Sequence, residues 1–303
     1  MAGDHGSSAK AILFAFLANL GIAVTKSAAA FYTNSGSMLA EAIHSYADCA
    51  NQLLLFLGLK QASKPATREH PLGFGKLTYF WSFVVALLLF SAGGLFSIFE
   101  GWHKLHHPEP LTRVWIALTV LVVAIVLESG SLLGALNEIR KIRRGRAFSD
   151  WLKHTRNAEL VVVLGEDIAA LAGLAIAFTF VSLAVVTGDT RWDAAGSIAI
   201  GVVLIVVAIF IAFRISALLI GKSAEPRLEA GIRDIINRDP AIDELLNTIT
   251  LQMGPKVVLA AKVRMRSDLS IGEAVAHLNE LEAEIKQQHP EVGWCFIEPD
   301  VTD

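Results

Sequence analysis

One apolar stretch of the chain, residues 35–59, contains an acid, a histidine and a second acid (SGSMLAEAIHSYADCANQLLLFLGL). It is long enough to cross a bilayer, where an ionisable side chain costs at least about 3 kcal/mol unless it is paired, ligated or hydrated. The polar residues follow the spacing i, i+3, i+7, i+10 and i+11, which forms one stripe on a helix and is expected to face away from lipid. The stripe consists of Glu41, His44, Asp48, Asn51 and Gln52.

A second acid-bearing stretch, residues 158–185, is predicted to meet this stripe through Asp167. The two stretches run in opposite directions, and both Asp48 and Asp167 fall on the cytoplasmic side of the middle of their spans. One helical turn rises about 5.4 Å, so His44 and Asp48 share a face and can form a compact cage with Asp167. Imidazole and carboxylate ligands suit a borderline divalent ion, Zn²⁺ first and then Co²⁺, Fe²⁺, Ni²⁺ or Mn²⁺.

The composition places these helices in a membrane protein, since 53% of the 303 residues are hydrophobic and the mean hydropathy is +0.51. Continuous apolar runs predict six transmembrane helices. Their expected bounds are residues 11–32, 35–59, 77–101, 113–137, 158–185 and 194–220.

Basic residues set the expected orientation. Loops 60–76 and 138–156 carry eleven Lys and Arg residues together, whereas the three loops on the opposite side carry three. The positive-inside rule puts the basic loops and both termini in the cytoplasm. With no removable signal or transit peptide recognised at the start, we expect an integral multi-pass protein of a bacterial inner membrane.

The composition changes after residue 220, because residues 221–303 contain fifteen Asp and Glu against nine Lys and Arg and their apolar residues become periodic. Pro226 fits the first turn of a helix, and the Ser270 to Glu273 segment has a capping-box pattern. The predicted order αββαβ favours a small two-layer, ferredoxin-like α+β domain in the cytoplasm. An open edge or an exposed apolar face would favour pairing with a second copy. We therefore predict a transport domain at 1–220 and a dimerisation domain at 221–303.

The segment SMLAEAIHSYADCANQ, with HPLGFGK and YFWSFV after it, resembles the cation diffusion facilitator family of divalent-metal/proton antiporters. The six spans, basic loops and acidic tail extend the resemblance over nearly the whole chain. In that family the transport site has two positions on the second helix and two on the fifth. The resemblance implies His44 and Asp48 for the first pair and Asp167 for the last position, while Val163 stands at the remaining one.

The resemblance leaves two candidates for a fourth ligand. Glu166 stands beside Asp167, and this Glu-Asp pair is similar to the mitochondrial zinc-transporter-like branch of the family. An ideal helix turns Glu166 by about 100° from Asp167, so it can face the edge of the site or a neighbouring helix. The alternative is Glu41, one turn before His44.

Other family sites are depleted in this sequence. His70 matches the first histidine of the loop after the second helix, but Phe74 stands at the second position, so no complete metal site is expected there. Lys262 and Val275 stand where the soluble domains of zinc-binding relatives carry histidines. We therefore expect the tail to dimerise without a structural zinc cluster.

Further polar residues of the spans have expected supporting roles. Asn51 and Gln52 are predicted to bond between helices or to line the cytoplasmic path. Asp193 and Glu128 are expected to make helix contacts, and Glu128, like His70, is also a candidate for the ion or proton path. Lys26 is interpreted as an interfacial anchor or a functional residue.

These observations predict a proton-coupled antiporter that exports a divalent metal ion, Zn²⁺ first, with no permanently bound cofactor. Its partners would be the metal ion, protons, the lipid bilayer and a second copy, with no nucleic acid. An enzyme is not expected, because neither HExxH nor GxSxG occurs, and no GxxxxGK[ST] motif for ATP is present. The alternative is a membrane-anchored metal sensor or interaction scaffold that acts through its soluble domain and would tolerate Asp48→Ala and Asp167→Ala.

Overall fold

The computed structural model describes residues 4–108, 110–143 and 145–302. Long helices dominate the part of these ranges that precedes residue 221. In chain order they are α1 (Asp4–Thr33), α2 (Gly36–Ala62), α3 (Leu77–Leu88), a π-helical segment (Leu89–Leu95), α4 (Phe96–His106), α5 (Val114–Ile142), the short α6 (Phe148–His154), α7 (Ala158–Thr187) and α8 (Arg191–Ile220).

Four helices of the described residues are long and apolar enough to cross a membrane. They are Leu77–His106, which joins α3, the π-helical segment and α4, followed by Val114–Ile142, Ala158–Thr187 and Arg191–Ile220. A helix of 30 residues is about 45 Å long, whereas the hydrocarbon core of a bilayer is about 30 Å thick. The protein is therefore a helical membrane protein with four apolar helices, and the crossing of α1 and α2 stays a prediction.

The π-helical segment makes a close backbone contact with α8. A Cβ atom on Gly201 of α8 would lie 2.7 Å from the Gly94 carbonyl oxygen, and a Cβ on Gly94 would lie 2.5 Å from Ile205 Cγ1. Only glycine permits this approach, which is a common way for helices to pack in membranes. The wide turn at Leu89–Leu95 thus lies where the two helices touch.

Replacing Gly201 by alanine is expected to destabilise the bundle, because overpacking of this kind costs roughly 1–3 kcal/mol. The matched control is Gly130→Ala, since a Cβ at Gly130 would meet no atom within 4 Å. Alanine is favoured over glycine within a helix by about 1 kcal/mol, so the control should be neutral or stabilising. Thermal unfolding in detergent measures the difference, and equal midpoints for the two variants would contradict the close contact.

The chain divides into two compact units. The first takes the described residues of Met1–Gly58, Trp81–Gly145 and Glu159–Ile215, and the second those of Leu59–Phe80, Arg146–Ala158 and Ser216–Asp303. The predicted division at residue 220 stays a prediction, and the unit that contains the tail also includes two loop segments.

The tail contains a three-stranded sheet and two helices. The elements follow the predicted αββαβ order: α9 (Pro226–Ile236), β1 (Ile242–Met253), β2 (Lys256–Met265), α10 (Ile271–Gln288) and β3 (Val292–Pro299). The strand order is β1-β2-β3, with β1 antiparallel to β2 and β2 parallel to β3. The predicted capping box at Ser270 and Glu273 is confirmed.

One face of this sheet is covered and the other is open. Ile232 and Ile236 of α9 are buried against Leu259 of β2, in a core that α10 completes. On the opposite face Ile249 pairs with Ala260, which pairs with Phe296. Ile249 and Phe296 are 63% and 58% exposed, so this row forms an exposed apolar strip.

Two earlier segments of the second unit, 59–80 and 146–158, contact the tail by donating hydrogen bonds to its backbone carbonyls. The Tyr79 hydroxyl donates to the Gly254 carbonyl oxygen at 3.1 Å, where a Cβ on Gly254 would lie 2.6 Å from the Gly75 carbonyl oxygen. The Arg156 guanidinium donates to the Ser223 carbonyl at 2.7 Å and also contacts the Ala224 carbonyl at 3.1 Å. Buried carbonyl groups need such donors, so these segments form part of one packed unit.

Candidate metal centre

The start of α2 is fixed by an acid of α8. Asp193 Oδ1 accepts hydrogen bonds from the Ser35 hydroxyl at 2.6 Å and the Ser37 amide at 3.2 Å, and Oδ2 accepts from the Gly36 amide at 2.5 Å. The first amides of a helix have no partner within the helix, and a carboxylate is favoured at that end. The expected helix contact of Asp193 is thus confirmed, and it sets the position of the polar stripe of α2.

His44 and Asp48 lie together on α2, one turn apart. Nε2 of His44 is 3.6 Å from Oδ2 of Asp48, close to the separation of about 3.3 Å between two ligand atoms on a tetrahedral Zn²⁺. His44 is fully buried, and neither of its ring nitrogens has a hydrogen-bond partner among the described residues. Asp48 Oδ1 likewise has none. Unpartnered buried polar atoms are costly, and a bound cation would offset that cost for these two side chains.

A cavity of about 80 Å³ lies beside this pair within the first unit. Helices α1, α2, α5 and α7 contribute its wall. The lining residues are Asn19, Ile22, Ser45, Asp48, Gln52, Leu55, Glu128, Ser131, Val163, Glu166, Asp167 and Ala170. A water molecule needs at least about 10–15 Å³, so the space suffices for an ion with a few waters. Four of the lining residues, contributed by α2, α5 and α7, are carboxylic acids, and in their ionised form they would attract a cation.

The two adjacent acids of α7 both reach the cavity, in spite of their different directions on the helix. Glu166 Oε1 accepts a hydrogen bond from Asn51 Nδ2 at 2.6 Å, which ties α7 to α2. Asp167 Oδ1 accepts from the Ser131 hydroxyl at 3.1 Å, which ties α7 to α5. Asp167 Oδ2 has no hydrogen-bond partner among the described residues. Each acid therefore has one donor and keeps capacity for a further ligand.

Glu41 is paired with a lysine and does not line the cavity. Its Oε2 lies 3.1 Å from Lys26 Nζ, and both side chains are 0% exposed. Lys26 Nζ also donates to the Ser45 hydroxyl at 2.8 Å. The interpretation of Lys26 as an interfacial anchor is therefore wrong: an opposite charge on the next helix holds the ammonium inside the protein.

The remaining predicted positions differ in their surroundings. Gln52 and Glu128 line the cavity, and Asn51 makes the interhelical bond expected of it. His70 is exposed in the second unit, with its ring 4.5 Å from that of Phe74.

Ser131 was missed as a site residue, although it follows Glu128 by three positions on α5 and so shares its face.

In the tail, Lys262 Nζ binds Asp300 at 2.9 Å, and this hydrogen bond holds the pKa of Asp300 below its usual range.

As they stand, no three His, Cys, Asp or Glu side chains within the described ranges are close enough together to hold a metal ion. The donors lie around the cavity and are not closed on one point. Binding a metal with three or four of them would require these donors to move closer together.

The fold and the site define a helical membrane protein with an anionic cavity between its long helices. The model of the cation efflux transmembrane domain matches residues 12–220, more than half of the sequence. The chain therefore belongs to the cation efflux family, the cation diffusion facilitators, which confirms the resemblance. Members of this family are transporters, and the expectation that the protein is not an enzyme is confirmed with it.

Individual relatives agree with the mitochondrial zinc-transporter-like branch. The mitochondrial proton-coupled zinc antiporter SLC30A9 of Xenopus laevis is 33% identical over 253 residues, which are 83% of this chain and 44% of that protein. The human protein of the same name is 31% identical over the same shares. The cation-efflux pump FieF of Klebsiella pneumoniae is 24% identical over 260 residues, 86% of this chain and 82% of that protein. The chain thus spans less than half the length of the SLC30A9 relatives.

Ser131→Ala is expected to lower the free energy of unfolding by about 1 kcal/mol, because Asp167 loses its hydrogen-bond donor on α5. Ser129→Ala is the matched control, since the Ser129 hydroxyl donates to the Ile125 carbonyl of its own helix at 2.6 Å. Unfolding of the detergent-solubilised protein, followed by circular dichroism, compares the two. A loss as large in Ser129→Ala would mean that the bond to Asp167 has no particular role.

Proposed function

We propose that the protein is a proton-coupled antiporter that exports a divalent metal ion, with Zn²⁺ as the preferred substrate. His44, Asp48 and Asp167 would bind the ion, and Glu166 would be the fourth ligand. One observation carries this proposal: Asp48, Glu166 and Asp167 line the same cavity, and the His44 imidazole, which has no hydrogen-bond partner among the described residues, lies 3.6 Å from Asp48.

The donor set supports a borderline metal. One imidazole and three carboxylates are typical of Zn²⁺, Co²⁺, Fe²⁺ and Mn²⁺, and the imidazole favours Zn²⁺. The name of the SLC30A9 relatives, proton-coupled zinc antiporter, agrees with this choice. Glu166 is preferred to Glu41 as the fourth ligand because Glu166 lines the cavity and Glu41 is bound to Lys26.

Proton coupling follows from the chemistry of these ligands. An imidazole must be neutral and a carboxylate ionised to bind a metal, so metal binding displaces protons. When the site faces the other side, protons compete with the metal and release it, and histidine is suited to this exchange near neutral pH. Glu128, which lines the same cavity from α5, would carry protons to and from the site.

Orientation, membrane and assembly belong to the same proposal. The eleven basic residues of two loops support cytoplasmic termini. The FieF relative supports a bacterial inner membrane, whereas the more similar SLC30A9 relatives are named as mitochondrial. The exposed strip of Ile249, Ala260 and Phe296 supports a homodimer formed through the open face of the sheet.

The first test is metal flux into proteoliposomes that hold a pH gradient. Zn²⁺ uptake with counterflow of protons is expected for the unaltered protein and should fall at least about 100-fold in Asp48→Ala and Asp167→Ala, because the central ligands are lost. Glu138→Ala, an exposed acid of α5, is the control and should retain transport. If no metal moves in any condition, the sensor or scaffold function replaces the antiporter, and the tail becomes the functional part.

His44→Asp is expected to shift the preference from Zn²⁺ toward Mn²⁺, because it replaces the only imidazole of the proposed ligands by a harder oxygen donor. A competition flux assay should give a ratio of Zn²⁺ to Mn²⁺ transport lowered roughly tenfold or more. The exposed His154→Asp is the control. An unchanged ratio in His44→Asp would mean that His44 does not bind the transported ion.

A further inference from the structure

The buried ion pair between α1 and α2 is not used by the proposed transport mechanism. Lys26 and Glu41 are each 0% exposed, and their charged atoms are 3.1 Å apart. A lysine is among the residues least often buried completely, and it stays so only when its charge is paired. The pair therefore has a specific role at this place, structural or functional.

Two contacts and the position of Glu41 on α2 put the pair at the edge of the metal centre. Lys26 Nζ donates to the hydroxyl of Ser45, whose side chain lines the cavity and which directly follows His44. Glu41 precedes His44 by one helical turn and shares its face. A Cβ on Gly173 of α7 would collide with Glu41 Oε1, so this carboxylate also touches the helix that carries Asp167.

The two carboxylate oxygens of Glu41 have different surroundings. Oε1 is buried and unpartnered among the described residues, whereas Oε2 is held by Lys26. A carboxylate so placed, between His44 on its own helix and α7, would be a strong competitor for a divalent cation if nothing opposed it. The ammonium of Lys26 is the charge that opposes it.

We infer that Lys26 is a positioning residue of the metal centre, whose ammonium keeps the Glu41 carboxylate out of the ligand set and thereby limits the number of carboxylate ligands. This inference rests on the proposed function. A further carboxylate would make the ligand set harder and more anionic, which favours Mn²⁺ over Zn²⁺ and tightens binding. Lys26 thus favours Zn²⁺ and keeps the site weak enough to release it.

The ammonium also acts on the cavity directly. The Lys26 ammonium is bonded to Ser45, which lines the cavity, so its positive charge lies beside the space where the ion would bind. Without the negative charge of Glu41, the ammonium would repel a cation from that space. Each of the two charges therefore offsets the effect of the other on the ion. Removing Lys26 alone should strengthen metal binding, and removing the charge of Glu41 alone should weaken it.

The test is equilibrium binding of Zn²⁺ and Mn²⁺ to the full-length protein in detergent, followed by flux in proteoliposomes. Lys26→Met frees the carboxylate, so Mn²⁺ affinity should rise about tenfold relative to Zn²⁺, and both KM and kcat for Zn²⁺ transport should fall. Glu41→Gln leaves the ammonium unneutralised, so both affinities should fall about tenfold with an unchanged ratio. The double variant Lys26→Met/Glu41→Gln should bind both metals within about threefold of the unaltered protein.

Each outcome separates the explanations. If Glu41 is itself a ligand, the double variant loses affinity, and the inference is overturned. If the pair is only structural, Lys26→Met keeps the Zn²⁺ to Mn²⁺ ratio wherever it folds and Glu41→Gln keeps both affinities, which also overturns it. The Glu41→Gln and double variants decide the matter if Lys26→Met does not fold. The exposed pair variant Lys141→Met/Glu138→Gln is the control and should change nothing.

The same preparation distinguishes a failure of the proposed antiporter function from a failure of the inference about Lys26. If the unaltered protein binds and moves neither metal, the proposed function fails and this inference fails with it. If the unaltered protein transports Zn²⁺ and Lys26→Met keeps its selectivity, only the inference fails.

Discussion

The cost of holding carboxyl groups among apolar helices governs the construction of this protein. Four of them meet at one cavity, and each must be offset by a donor, a cation or water. Asn51 and Ser131 supply one neutral hydrogen bond each to the acids of α7, and these bonds tie α7 to α2 and α5. The acids that line the cavity are thus also the groups through which α7 is hydrogen-bonded to α2 and α5.

The number of donors distinguishes the acids that hold the bundle from those that remain available to a cation. Asp193 accepts three hydrogen bonds at the start of α2, and its carboxylate is fully used in joining two helices. Asp167 accepts one and keeps its second oxygen unpartnered among the described residues. Glu41 lies between these cases, because a lysine occupies one of its oxygens. The same chemical group therefore serves as a structural bond, a candidate ligand and a member of an ion pair.

Periodicity alone predicted much of this arrangement. The stripe from Glu41 to Gln52, the αββαβ order of the tail and the capping box at Ser270 follow from spacing that local sequence sets directly. The pairing of Lys26 with Glu41 could not be derived in this way, because the distance of a lysine from the end of a span allows both an interfacial and an internal position. The direction of the Glu166 side chain could not be predicted either. It is rotated by about 100° from Asp167 on an ideal helix, and whether that direction leads to the site or to another helix depends on where the neighbours of α7 lie.

The second compact unit is assembled from three segments that are far apart in the chain. Tyr79 donates to Gly254, a residue 175 positions later, so this contact cannot form until most of the protein has been synthesised. At ordinary elongation rates of about 5–20 residues per second, Gly254 is synthesised roughly 10–35 s after Tyr79. During that interval the helices that precede Tyr79 fold without the support of the tail. A chain that ended before residue 254 would therefore lack this hydrogen bond, however completely its earlier helices had formed.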